Sequence, residues 1–138
     1  MVCDKHRDLD EILGDEHAVV SHLLPGEEPA YLGYLFVEPR RHVAGLGDLT
    51  PEEAASFGRL AARASDALRR SEGAEHVYAA VIGHGADHLH LHLIARYPGT
   101  PREYWWVRVD EWPDAPRGDA AAIAALSGRL RRTAGPTA

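Results

Sequence analysis

Cysteine is nearly missing: Cys3 is the single thiol in 138 residues. One thiol permits no internal disulfide, which agrees with a reducing compartment. Long apolar runs are missing too. No stretch approaches the roughly 20 residues needed to span a bilayer, and Met1-Val2-Cys3-Asp4-Lys5 does not open an apolar signal region. The expectation is a cytoplasmic protein with no membrane partner. Basic charge is in deficit, with 15 Lys and Arg against 21 Asp and Glu and a net charge of −6. That argues against nonspecific nucleic-acid binding, which needs a broad basic face. It leaves room for a small phosphate ligand, because local donors and histidines can hold an anion inside an acidic protein. There is no internal repeat and no long low-complexity linker. What remains, 45% hydrophobic and 26% charged, is the ordinary balance of one soluble domain, read over residues 1–138.

Histidine is abundant by contrast, nine in all, and three stand in Asp87-His88-Leu89-His90-Leu91-His92-Leu93-Ile94-Ala95-Arg96. In a strand successive side chains face opposite ways. His88, His90 and His92 therefore share one face and Leu89, Leu91 and Leu93 the other. The leucine face belongs in a core. The imidazole face has three explanations: a half-exposed strand that happens to carry histidine, a transition-metal site, or nucleophilic catalysis by one ring with its neighbours orienting.

The rest of the chain reads as alternating elements. Residues 3–13 suggest a short helix with Leu9, Ile12 and Leu13 on one side. Residues 16–24 and 30–37 read as strands of an antiparallel pair around the turn Pro25-Gly26-Glu27-Glu28-Pro29. Thr50-Pro51-Glu52-Glu53 is a capping box with proline at the first helical position. It predicts a helix over 51–72 with Ala54, Phe57, Leu60, Ala61, Ala64 and Leu68 on its apolar face and Gly73 at its exit. Residues 76–82 form another strand, and Gly83 to Asp87 turn into the histidine strand. Tyr104 to Val109 is β-prone, and two adjacent tryptophans on a strand must face opposite ways, which leaves one exposed or at an interface. Asp119 caps a last helix through Arg131, with Ile123, Leu126 and Leu130 inward. The tail, 133–138, is expected to be disordered.

His88-Leu89-His90-Leu91-His92-Leu93-Ile94 resembles, position by position, the His-φ-His-φ-His-φ-φ signature (φ apolar) of the histidine triad, or HIT, superfamily. Two further stretches are similar to that family in the right order. Gly33 to Val43 resembles its strand followed by Pro-[Lys/Arg]-Arg-His-Val, and Leu46 to Glu53 resembles the lead into its main helix. The resemblance covers roughly 15–97, with 98–132 as a C-terminal extension. It implies an α+β, HIT-like fold: a mostly antiparallel sheet of about five strands with one long helix and a C-terminal helix.

The resemblance also implies chemistry. His90 would attack the α-phosphorus of a nucleoside phosphate derivative and form a covalent nucleotidyl-histidine, which water then releases. His92 would contact phosphate oxygens and the leaving atom. His88 would buttress the site or ligate zinc. His84 stands where relatives carry glutamine, Gly85 where they carry a hydroxyl residue, and His22 near the usual ribose-binding aspartate. These, with His42, are the candidate substrate-binding residues. The retained His92 favours the hydrolase branches (Hint-like, Fhit-like and diadenosine polyphosphate hydrolase-like), since transferase branches commonly replace it with glutamine. The implied substrate is a dinucleoside polyphosphate or nucleoside phosphoramidate, an AMP or GMP derivative, and the implied assembly is a homodimer. No cofactor is required for catalysis. Many relatives open with Cys-x-x-Cys holding a structural zinc, and here Cys3 and His6, with His42 and His88, make a chemically reasonable set. The alternatives are a nucleotide-binding protein without turnover, or a metal-dependent enzyme using the triad histidines as ligands.

Overall fold

The computed structural model describes residues 11–83 and 87–136. In chain order the elements are β1 (Glu11–Gly14), β2 (Ala18–His22), β3 (Ala30–Tyr31), β4 (Tyr34–Pro39), α1 (Pro51–Glu72), β5 (His76–Val81), β6 (Leu91–Arg96), β7 (Arg117–Gly118) and α2 (Ala120–Ala134). Five strands form one antiparallel sheet in the order β1-β2-β4-β6-β5, and β3 pairs with β7 alone. The fold is α+β, two helices and a five-stranded antiparallel sheet.

Local chemistry explains the long helix. Thr50 Oγ1 accepts from the Glu53 amide at 3.1 Å, and Glu53 Oε1 accepts from the Thr50 amide at 2.9 Å. Gly73 ends the helix at φ 73°, a left-handed conformation that costs glycine little. The apolar stripe of α1 (Phe57, Leu60, Ala64, Leu68) packs with Leu126 and Leu130 of α2 onto Val20, Leu35, Val37 and Leu93 of the sheet. The opposite sheet face carries a second cluster, Tyr31, Tyr78, Ile94, Val109 and Ala115. Among the described residues no helix is long and apolar enough to cross a membrane.

Several expected elements differ. Of the expected N-terminal helix, the described residues are a strand: β1 takes the sheet edge, with Leu13 opposite Val20. The strand over 16–24 shortens to Ala18–His22, because Asp15 Oδ1 accepts from the amides of His17 and Ala18 and makes that stretch a turn. The strand over 30–37 splits at Gly33, where φ is 94° and a Cβ would collide with the Tyr97 hydroxyl. The β-prone aromatic segment forms 3-10 turns at Arg102–Tyr104 and Trp106–Glu111. Trp105 explains this: its Nε1 donates to the Thr100 carbonyl at 3.0 Å and its ring lies under the Arg96 guanidinium at 3.7 Å. Trp106, at φ 72°, is the exposed partner. Finally, α2 runs past Arg132 to Ala134, and Arg63 Nη2 donates to the carbonyls of Ala134, Gly135 and Pro136 at 2.9–3.1 Å. Residues 133–136 are therefore anchored, and 137–138 lie outside the described residues.

Candidate functional site

Only the last histidine of the triad lies within a strand. β6 begins at Leu91, so His88 and His90 belong to the segment that leads into it. The alternation survives nonetheless. Leu89 and Leu93 are buried in the helix-side core with Leu91 against them, and the three imidazoles collect on the other face. His88 and His90 ring centroids are 5.5 Å apart, and Phe36 stands edge-on to both His90 (5.6 Å) and His92 (5.0 Å). The register sets this up. Phe36 lies opposite His92 and Val37 opposite Leu91, so the Tyr34, Phe36 and Glu38 face of β4 backs the histidine face. Tyr34 Oη hydrogen-bonds His92 Nδ1 at 2.7 Å. Glu38 presents Oε1 at 3.5 Å from His90 Nε2 and Oε2 at 3.7 Å from His88 Nε2.

What holds the lead-in segment without strand pairing is the stretch Pro39-Arg40-Arg41-His42-Val43. The Pro39 carbonyl accepts from His88 Nε2 at 3.0 Å, and the Val43 carbonyl accepts from the Leu89 amide at 2.8 Å. Arg40 donates to the Asp15 carbonyl and to Glu11 on the β1 side. Arg41 forks onto Glu53 of α1 at 2.8 and 2.9 Å. That pairing and the Thr50 amide hold the Glu53 carboxyl down at about 2. His42 is left facing His88, Nδ1 to Nδ1, at 3.3 Å.

Burial pushes the His90 imidazole below its usual range, against a hydrogen bond from its ring to the His88 backbone. Burial, with His90 beside it, also pushes His92 down. Both rings are thus uncharged near neutral pH. A neutral imidazole with one nitrogen tied to backbone keeps a lone pair on the other, which is what nucleophilic attack requires.

The other candidates fall differently. His22 is fully buried, donating from Nδ1 to the Leu23 carbonyl at 2.6 Å and accepting at Nε2 from the Gly33 amide at 2.9 Å. Both ring nitrogens are engaged in pinning β2 to the β3–β4 turn, so its expected substrate contact is corrected to a structural role. His84, Gly85, Cys3 and His6 lie outside the described residues. Of the expected zinc set, His42 and His88 can be compared. Two nitrogens bound tetrahedrally at about 2.0–2.1 Å stand about 3.3 Å apart, and the two Nδ1 atoms stand at 3.3 Å. The His88 Nε2–H bond to Pro39 leaves Nδ1 as the lone-pair nitrogen, an arrangement common in metal-ligating histidines. Among the described residues no group of three side chains is placed to hold a metal.

Tyr34 and Glu38 are the site residues that sequence reasoning passed over. The signal available was weak: a tyrosine and a glutamate two places either side of Phe36 in an otherwise apolar run.

A family model for the HIT domain matches residues 10–99. Similar solved structures include a histidine triad protein from Bradyrhizobium japonicum, at 24% identity over 96% of this chain and 95% of that one, with a TM-score of 0.71. A hypothetical histidine triad nucleotide-binding protein from Sulfolobus tokodaii shares 16% identity over 96% and 88%, with a TM-score of 0.71. A Zn-bound histidine triad family protein from Mycobacterium smegmatis shares 22% over 90% and 82%, with a TM-score of 0.64. Comparison with curated proteins finds no match.

Proposed function

The chain belongs to the HIT domain family, and we propose that it is a nucleotide hydrolase acting at the α-phosphorus of a nucleoside phosphate derivative, with His90 as nucleophile. The observation that carries this reading is the His90 ring: half-buried, 5.5 Å from the His88 ring and edge-on to Phe36 at 5.6 Å, and displaced by burial toward its neutral form. Its free lone pair forms the N–P bond while the bond from phosphorus to the leaving group breaks, and water then releases the nucleotide. His92 serves as donor to phosphate oxygens. His88, held by Pro39, orients the segment. The substrate class is a dinucleoside polyphosphate or a nucleoside phosphoramidate. β5 ends the sheet as an edge strand, with Val81 41% and Ile82 40% exposed, a surface that suits pairing with a second copy.

Structural zinc held by His42 and His88 with Cys3 and His6 is a second element of the proposal. It is supported by the 3.3 Å spacing of the two Nδ1 atoms. When bound, zinc would supply cross-linking of the N-terminal segment to the site.

Incubation with a labelled nucleotide substrate and rapid acid-free quenching tests the proposal. A covalent nucleotide on His90, lost with turnover in His90→Ala, is the expected outcome. Tight nucleotide binding with neither adduct nor turnover would replace it with a binding role. Activity abolished by chelation would replace it with metal-dependent catalysis.

A further inference from the structure

Tyr34 and His92 meet across the β4–β6 pair, Oη to Nδ1 at 2.7 Å, with ring centroids 5.7 Å apart and planes at 68°. Tyr34 lies opposite Ile94 in the ladder, so its side chain leans along β6 to reach the histidine. Phe36 flanks the pair, 5.5 Å from the Tyr34 ring and 5.0 Å from that of His92. Burial, with Asp110 adding to it, pushes the Tyr34 phenol above its usual range, so it keeps its proton. Burial and His90 keep the His92 ring neutral. A neutral imidazole has one proton; with that proton on Nε2, the protonated phenol beside Nδ1 can donate to that nitrogen's lone pair.

Resting on the hydrolase reading above, we propose that Tyr34 is a positioning residue that locks His92 as the Nε2–H tautomer, a hydrogen-bond donor that does not give its proton away. The site would thereby favour leaving groups that depart as stable anions, phosphate or polyphosphate, over amines. To protonate a leaving group, His92 would have to surrender its ring proton and take the phenol's proton at Nδ1 in return. That exchange leaves a half-buried tyrosinate. With a polyphosphate no such transfer is needed. The His90 lone pair forms the N–P bond, the bond from the α-phosphorus to the bridging oxygen breaks, and that oxygen leaves with the electron pair as a terminal phosphate oxygen. Cleavage of a P–N bond instead places the pair on nitrogen, which must gain a proton as it departs.

Two measurements on the full chain test this. Ring-nitrogen correlation spectra of the wild type should show a protonated Nε2 and a lone-pair Nδ1 on His92, with a mixture of tautomers in Tyr34→Phe. A protonated Nδ1 in the wild type overturns the inference without reference to activity. In kinetics, the wild-type kcat/KM for a dinucleoside polyphosphate should exceed that for a phosphoramidate of the same nucleoside by about tenfold or more. Tyr34→Phe should narrow that ratio about tenfold through kcat, with KM for both substrates moving less than about threefold. A labelled His90 adduct with an unchanged ratio overturns the role of Tyr34 alone. Absence of adduct and turnover on both substrates overturns the hydrolase reading and the leaving-group preference with it.

Discussion

Oε1 of Glu38 lies 3.5 Å from Nε2 of His90, which sets a carboxyl group only 3% exposed beneath the proposed nucleophile. Nucleotidyl transfer converts a neutral imidazole into a cation. A carboxylate at this range would stabilise that cation more than the resting ring, because the surroundings exclude water. Glu38→Gln keeps the shape and removes the acid. It is expected to lower kcat by about tenfold, near 1.4 kcal/mol, with KM changed less than about threefold. Steady-state rates on a dinucleoside polyphosphate check this, and an unaltered kcat removes the carboxylate from the chemistry.

Asp15 offers a pH-dependent prediction away from the site. Burial raises its carboxyl, but hydrogen bonds from Ser56, from the His17 and Ala18 amides and from Arg59 outweigh that and bring it from 3.8 to about 2. A carboxyl depressed on folding contributes stability that is complete above its unfolded value and is lost as pH falls through its folded one. The window is therefore from about pH 4 down to about pH 2, and the contribution is about 2 kcal/mol. Asp15→Ala should cost about that amount at pH 7 and little at pH 2. Denaturant midpoints at the two values decide it.

Leu60 is 0% exposed on the inner face of α1. Leu60→Ala leaves a cavity between helix and sheet and should destabilise the fold by about 2–5 kcal/mol. Urea titration measures it, and a loss under about 1 kcal/mol would mean the core closes over the gap.

The zinc set makes a binding prediction separate from catalysis. Competition against a chromophoric chelator should find one equivalent of zinc per chain, lost in His42→Ala, while turnover at saturating substrate persists after the metal is stripped. Failure of the wild-type chain to bind zinc removes the Cys3, His6, His42 and His88 set.

The parts of this fold written in local chemistry could be read from the chain. The α1 span follows from Thr50, Pro51 and Glu53 at one end and Gly73 at the other, all within a few residues of what they terminate. Asp119 likewise marks the start of α2 through its bond to the Ala122 amide. The His-Leu alternation placed the imidazoles on one face correctly. It placed the strand start wrongly, because His88 and His90 are positioned by the Pro39 and Val43 carbonyls, more than 45 residues earlier in the chain. The aromatic segment departs from its propensity for a similar reason. Its β-propensity is overridden by Arg96 stacking on Trp105, a partner on another element. Tyr34 and Glu38 could not be singled out, since their significance lies in cross-strand register with His92 and His90. His22 sat near a familiar functional position, but burial belongs to the packed structure and the sequence gives no direct sign of it.

The stretch from Pro39 to Val43 touches a different element with nearly every residue: the triad lead-in, the β1 side, α1 and the core. Such a stretch has no slack. Inserting or deleting one residue there would hand each partner the wrong neighbour at once, so tolerance to length change should collapse over these five positions. The turn over 25–29, which joins strands without gripping the site, should accept added residues far more readily. A library of single-residue insertions, scored for soluble folded protein, would map that boundary.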